Sequence, residues 1–133
     1  MKIAILGDTH VGARNDSILF NDFFLKFFDD IFFPYLEKHQ DIKTIVHLGD
    51  VFDKRKTINF RILNLWKRIF SKLSEYSTYL IPGNHDLYDR VGEINSLTEL
   101  FGQYNFQIYS EPTEVTFEKL KVLILKLCVT NQR

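Results

Sequence analysis

Lys43-Thr44-Ile45-Val46-His47-Leu48 runs straight into Gly49-Asp50-Val51-Phe52-Asp53, an apolar strand that ends on a glycine and hands over two carboxylates. The same construction recurs on either side. Toward the amino end, Lys2–Leu6 leads into Gly7-Asp8-Thr9-His10; toward the carboxyl end, Thr78–Ile81 and Pro82 lead into Gly83-Asn84-His85-Asp86. The three segments lie roughly 35 to 40 residues apart, about one strand-plus-helix unit each. Taken singly, a Gly-Asp after a strand is a turn, and Asn-His-Asp is a loop. Three in this order, each following a strand and each carrying oxygen or imidazole donors, form the layout expected when successive strands of one sheet end at a shared metal site.

The segments between them read as helices. Asp16 or Ser17 caps one that runs to about His39, with apolar residues at Phe20, Phe23, Phe24, Phe27, Phe28, Ile31 and Phe32. Pro34 removes a backbone donor and predicts a kink or break near Phe33. The Phe stripe is most simply core, although its breadth leaves room for a subunit interface. Thr57 starts a second helix with Ile62, Trp66, Ile69, Phe70 and Leu73 on one face, and Ser96 with Glu99 makes a capping box for a short third one. Phe106–Tyr109, Glu114–Phe117 and Leu120–Leu127 then read as strands, with a turn near Glu118-Lys119. Strand, helix, strand, helix, strand argues for a parallel α/β sheet with right-handed crossovers, followed by the start of a second sheet. At 133 residues the whole is read as a single domain, and its ending just after a strand, at Gln132-Arg133, looks cut.

Composition narrows the function classes. Apolar residues make up 45% of the chain and 13 residues are Phe, a globular rather than a disordered composition. Lys plus Arg equals Asp plus Glu, 17 each, so net charge leaves no polyanion footprint; a nucleic-acid partner must be held by local basic loops or by metal ions. The single Cys128 lies in an apolar run and reads as a buried thiol in a reducing compartment. The apolar start is too short for a signal peptide, and charged residues interrupt the Phe-rich stretch from Ile18 to Phe33, so a soluble cytoplasmic protein is expected.

Asp8, His10, Asp50 and Asn84 form a mixed oxygen and imidazole set that suits manganese, iron or zinc better than calcium. Asp50, arriving from the middle strand, is placed to bridge two ions. Such a pair, roughly 3.5–4 Å apart, activates a water and stabilises both in-line oxygens of a phosphate ester. His85 is free to face the leaving group as a proton donor, Asp86 to orient its imidazole, and Asp53 to orient a ligand or the water. Lys54-Arg55-Lys56 follows directly and is read as a contact for a phosphate backbone, with Arg14 a weaker one. His39 reads as a solvated helix end and His47 as a packed or hydrogen-bonded strand residue.

These residues resemble the calcineurin-like metallophosphoesterases, whose first three motifs are Asp-x-His, Gly-Asp and Gly-Asn-His-Asp. Within that family the chain looks most like the SbcD-type DNA repair nucleases, including phage recombination endonuclease subunits. The narrower likeness rests on Gly49–Lys56, Ser96-Leu97-Thr98-Glu99-Leu100 and Tyr109-Ser110-Glu111-Pro112-Thr113-Glu114-Val115. It implies a four-layer α/β/β/α sandwich, here truncated, and a manganese-dependent exonuclease or endonuclease. That enzyme would act on DNA ends in recombination and repair, as a homodimer with an SMC-like ATPase. It also implies that Asp8, His10 and Asp50 hold one ion, that Asp50 and Asn84 begin a second site, and that His85 is the catalytic histidine. The family completes its site with three further histidines, including a Gly-His-x-His. This chain has four histidines in all, and only His10 and His85 lie in motifs. One weak metal site and little two-metal catalysis by the chain alone are therefore expected. Two rivals follow: a phosphoesterase acting on small phosphodiesters or phosphoprotein, and a non-catalytic remnant that dimerises with or regulates a full-length homologue.

Overall fold

The computed structural model describes residues 1–89 and 94–125. Four parallel strands, β1 (Lys2–Leu6), β2 (Ile42–His47), β3 (Ser77–Leu80) and β4 (Phe106–Ile108), pair in sequence order. Each crossover steps the same way across the sheet, and crossovers of one hand then lay their helices on one face. That face carries the main core. Ile45, Ile62, Ile69, Trp66, Phe28, Phe33, Leu97 and Phe101 are all essentially inaccessible there. The other face is covered by an antiparallel hairpin, β5 (Thr113–Phe117) and β6 (Leu120–Ile124). Its Val115, Phe117 and Ile124 pack on Ile3, Val46 and Tyr79 as a second, smaller cluster.

The first helical segment begins where Ser17 accepts a hydrogen bond from the Phe20 N–H. It runs through Ile18–Phe27, widens into a π turn at Phe28–Phe32, and resumes as Phe33–Lys38 with Pro34 in its first turn, where the missing N–H costs nothing. The irregularity expected at Pro34 is thus a π turn just before it. The Phe stripe divides: Phe28 and Phe33 are core, whereas Phe23 and Ile31 are exposed.

The second helix spans Phe60–Leu73, three residues later than Thr57, because Asn59 rather than Thr57 accepts the free N–H groups of Arg61 and Ile62. All five residues expected on its inner face are buried. The short helix Ser96–Leu100 is capped by Asn95, which accepts from the Thr98 N–H; this replaces the Ser96–Glu99 capping box read from sequence. Phe106–Ile108 joins the parallel sheet beside β3 instead of opening the second one. Cys128 and the end of the strand expected to reach Leu127 lie outside the described residues. No helix among the described residues is long and apolar enough to cross a membrane.

Candidate metal centre

The β1–β2 ladder does not stop where the strands end. Leu48 N–H donates to the Leu6 carbonyl, Asp8 N–H to Gly49, His10 N–H to Asp50 at 3.0 Å, and Val11 N–H to Val51 at 2.7 Å. Val11 and Phe52 then form a parallel bridge. This run of bonds fixes the Asp8–His10 loop against the Asp50 loop without help from any side chain.

Asp8, His10 and Asp50 all adopt left-handed backbone, with φ of 53°, 42° and 49°. A non-glycine residue there costs on the order of 1 kcal/mol or more, tolerated where the surroundings over-determine the loop. Gly49 shares that conformation at φ 103°, and a Cβ on it would overlap the Gly83 backbone. A Cβ on Gly83 would in turn occupy the space of the Asp50 amide and carboxylate. These two glycines let the second and third loops touch. Gly7 has no such constraint.

The side chains brought together form two overlapping groups, Asp8–His10–Asp50 and His10–Asp53–His85, each with donor atoms within 4.8 Å of one another. His10 Nε2 lies 3.7 Å from Asp8 Oδ1 and 3.9 Å from Asp50 Oδ2. The His10 and His85 rings meet edge to face with centroids 5.0 Å apart. His10 Nδ1 is buried without a hydrogen-bond partner; Asp53 Oδ1 is 3.3 Å away but unaligned. With Nε2 facing Asp8 and Asp50 and an orphaned Nδ1 beside Asp53, the His10 ring belongs to a donor set that fits a divalent cation of the imidazole-accepting kind. Asn84 is exposed at the start of a 3-10 turn, Asn84–Asp86, and among the described residues no hydrogen bond ties its side chain to the others.

Asp86 is not the partner of the His85 imidazole. It is fully buried, and its carboxylate accepts from the backbone N–H groups of Val51, Phe52 and Gly83 at 3.2, 3.0 and 2.9 Å. Burial pushes its pKa up, and the three N–H groups pull it back. Asp86 is a staple between the second and third loops. The role expected of it falls to the backbone: the Asp53 carbonyl takes His85 Nδ1, while the His85 N–H donates to Asp50 Oδ1 at 2.9 Å. A carbonyl only accepts, so Nδ1 carries the proton and Nε2 is the basic atom of neutral His85.

The basic loop divides as well. Lys54 pairs with Asp16 at 2.6 Å, while the Lys56 ammonium sits 5.1 Å above the Tyr88 ring. Arg55 is exposed and makes no ion pair among the described residues. Arg14 is exposed with its guanidinium over Phe20. His39 stacks on Tyr35, centroids 4.0 Å apart, away from the site.

Two residues that sequence reasoning passed over hold the loops. Asn21, buried inside the first helix, accepts from Gly12 N–H and Trp66 Nε1–H and donates to the Ser17 carbonyl. A lone amide among Ile18-Leu19-Phe20 and Phe23-Phe24-Leu25 was the available signal. Thr9, between two candidate ligands, contacts His47 Nε2 at 3.2 Å and donates to the Val51 carbonyl at 3.1 Å. Gly49 N–H donates to His47 Nδ1, so the ring proton sits on Nε2 and points to Thr9. Burial, opposed by the nearby Asp50, lowers the His47 pKa to about 4.

The sequence model of the calcineurin-like phosphoesterases matches residues 1–126. The chain is also 33% identical, over 136 aligned positions, to Exonuclease subunit 1 of Enterobacteria phage T4. That alignment covers 98% of this chain and 40% of the phage protein, so the chain spans about two fifths of its relative's length.

Proposed function

This chain belongs to the calcineurin-like phosphoesterase family, and from that premise we propose that it forms part of the catalytic domain of a metal-dependent DNA nuclease subunit, hydrolysing phosphodiester bonds at DNA ends during recombination and repair. The observation that carries the reading is the convergence of Asp8, His10 and Asp50 on one point, with the His85 ring against His10. The likeness to a phage exonuclease subunit supports a nucleic acid over a small phosphodiester or a phosphoprotein as substrate.

Family members use divalent metals, and a metal held here would activate water and neutralise the phosphate. Asp8, His10 and Asp50 would hold the first ion, Asp50 and Asn84 would begin a second site, and manganese is the metal proposed. His85, its Nδ1–H committed to the Asp53 carbonyl, would carry a proton taken from solvent on Nε2 and give it to the leaving sugar oxygen, returning to the neutral ring. Asp53 fixes that tautomer through its carbonyl and faces His10 with its carboxylate. Arg55 and Lys56 contact the DNA backbone; Lys54 does so only if its pair with Asp16 opens. The proposed partners are DNA, an SMC-like ATPase and a second copy of the chain, in the host cytoplasm.

All four histidines are accounted for: two at the centre, His39 stacked on Tyr35 and His47 buried against Thr9. The chain thus has no further imidazole to offer, which favours one weak metal site in these residues alone. The second reading is a regulatory chain that pairs with a complete homologue. Calorimetric titration with Mn²⁺, beside Asp50→Asn, separates them. One weak site, lost in Asp50→Asn, supports the nuclease reading. Absence of binding at millimolar metal, or a nuclease assay that stays silent when a chain carrying the missing histidine motifs is added, turns it toward the regulatory one.

A further inference from the structure

A cavity of about 160 Å³ opens where the second and third loops continue past their candidate ligands. Lys54–Ile58, directly after Asp53, lines one part of it, and Tyr88, two residues after Asp86, lines another together with Ile94. Ser96 and Leu100 of the short helix and the ring of Phe52 complete the lining. Three residues carry the chain from His85 to Tyr88, so their Cα atoms are at most roughly 11 Å apart. A strand cut at the centre therefore passes this cavity within a nucleotide or two of the broken bond.

The cavity is framed before any ligand arrives. Tyr88 N–H donates to the Ile94 carbonyl at 3.0 Å, and Leu87 and Asn95 form an antiparallel bridge. Asn95 also caps the helix that carries Ser96. Tyr88 and Ile94 nevertheless stay 45 and 50% exposed, large apolar groups left uncovered. The Lys56 ammonium, 5.1 Å above the Tyr88 ring, shows that one ring face is open to a partner. Ser96 Oγ is shielded from solvent and has no hydrogen-bond partner among the described residues, so the lining holds an unmet polar group.

The chemistry of the lining sorts its occupant. Of the three cations on the first wall, Lys54 is held by Asp16, Lys56 rests on Tyr88, and Arg55 makes no ion pair among the described residues. Glu99 adds a carboxylate to the same lining, which disfavours a phosphate within the cavity and accepts from an N–H. An aromatic wall, a hydroxyl and a carboxylate beside a cationic wall match the two halves of one nucleotide, ring and phosphate. A paired base inside a duplex cannot offer its ring this way; an unpaired one can.

We propose that this cavity takes an unpaired base of the bound strand, stacked on Tyr88 in place of the Lys56 ammonium, which moves to that nucleotide's phosphate. The inference rests on the nuclease reading above and adds a preference for frayed or single-stranded ends over blunt ones. The test is fluorescence polarisation of the full chain with a labelled single strand of about ten nucleotides, with Mn²⁺ present and phosphorothioate linkages to keep the strand intact. A strand of the same length without bases is run beside it, against Tyr88→Ala, Tyr88→Phe and Arg55→Ala. Tyr88→Ala should weaken the normal strand about tenfold and leave the baseless strand unchanged, while Tyr88→Phe binds both as the parent does. Circular dichroism confirms that each variant is folded. Equal loss on both strands, or no loss on either, overturns the base site; if Arg55→Ala still weakens both, the nuclease reading stands without it. A free deoxynucleoside monophosphate that binds as tightly as the strand also overturns it, in favour of a site for the cleaved product. No binding of either strand by the parent chain at ~100 µM overturns both readings.

Discussion

The two faces of the parallel sheet differ in what closes them. On the helical face, aromatic rings contact one another in an unbroken set: Phe28 against Trp66 at 5.7 Å, Trp66 against Phe70 at 6.1 Å, Phe70 against Phe101 at 4.8 Å. On the opposite face a two-stranded hairpin covers Ile3, Val46 and Tyr79, while Ile5, Leu48 and Leu123 remain exposed. Every buried anchor of the loops, Asn21, Thr9, His47 and Asp86, is tied to the helical face or to the strand ends. The candidate centre is therefore organised from one side of the sheet. The hairpin adds burial without positioning any candidate ligand.

That asymmetry can be broken most directly at Trp66. Trp66→Ala removes the largest fully buried side chain and leaves Asn21 Oδ1 with one donor fewer, so a loss of about 3–5 kcal/mol is expected in chemical denaturation, with weakened Mn²⁺ binding alongside. A smaller effect comes from His47. Its folded pKa of about 4 lies below the ordinary value near 6.5, so the unfolded chain binds the extra proton between those values. The stability this neutral imidazole confers is complete above pH 6.5 and is lost as pH falls toward 4, by up to about 3 kcal/mol. Thermal melts from pH 7.5 to 4.5 check it, and His47→Gln should flatten the slope. Least is expected of Phe117→Ala on the hairpin face, near or below the lower end of the ~3–5 kcal/mol usual for a buried Phe→Ala, since only Val115 and Ile124 are buried with it in that cluster. A cost equal to that of Trp66→Ala would mean the two faces are equally integral.

Periodicity and punctuation made much of this legible in advance. The apolar runs before Gly49 and Gly83 are strands at the places expected, and the helix face from Ile62 to Leu73 is the buried one. Local competition among polar residues was not legible. Asn59 and Asn95 cap helices that Thr57 and Ser96 were expected to open, because several side chains near each terminus offer an acceptor and only the folded path selects one. Asp86 misled for a related reason. Beside a histidine in sequence, it is turned by the 3-10 geometry onto three amides contributed by two loops. The split of the Phe stripe into a core face and an open one depends on a π turn that no single residue announces.

The left-handed backbone at Asp8, His10 and Asp50 bears on how such a chain can drift. Glycine and asparagine sit in that conformation more comfortably than aspartate or histidine. A library of variants sorted only for resistance to heat or protease would thus enrich Gly and Asn at these three positions, emptying the centre while improving the scaffold. Durability and chemistry pull the same three codons in opposite directions. Recovering robust descendants of this protein calls for a screen that counts bound metal as well as survival.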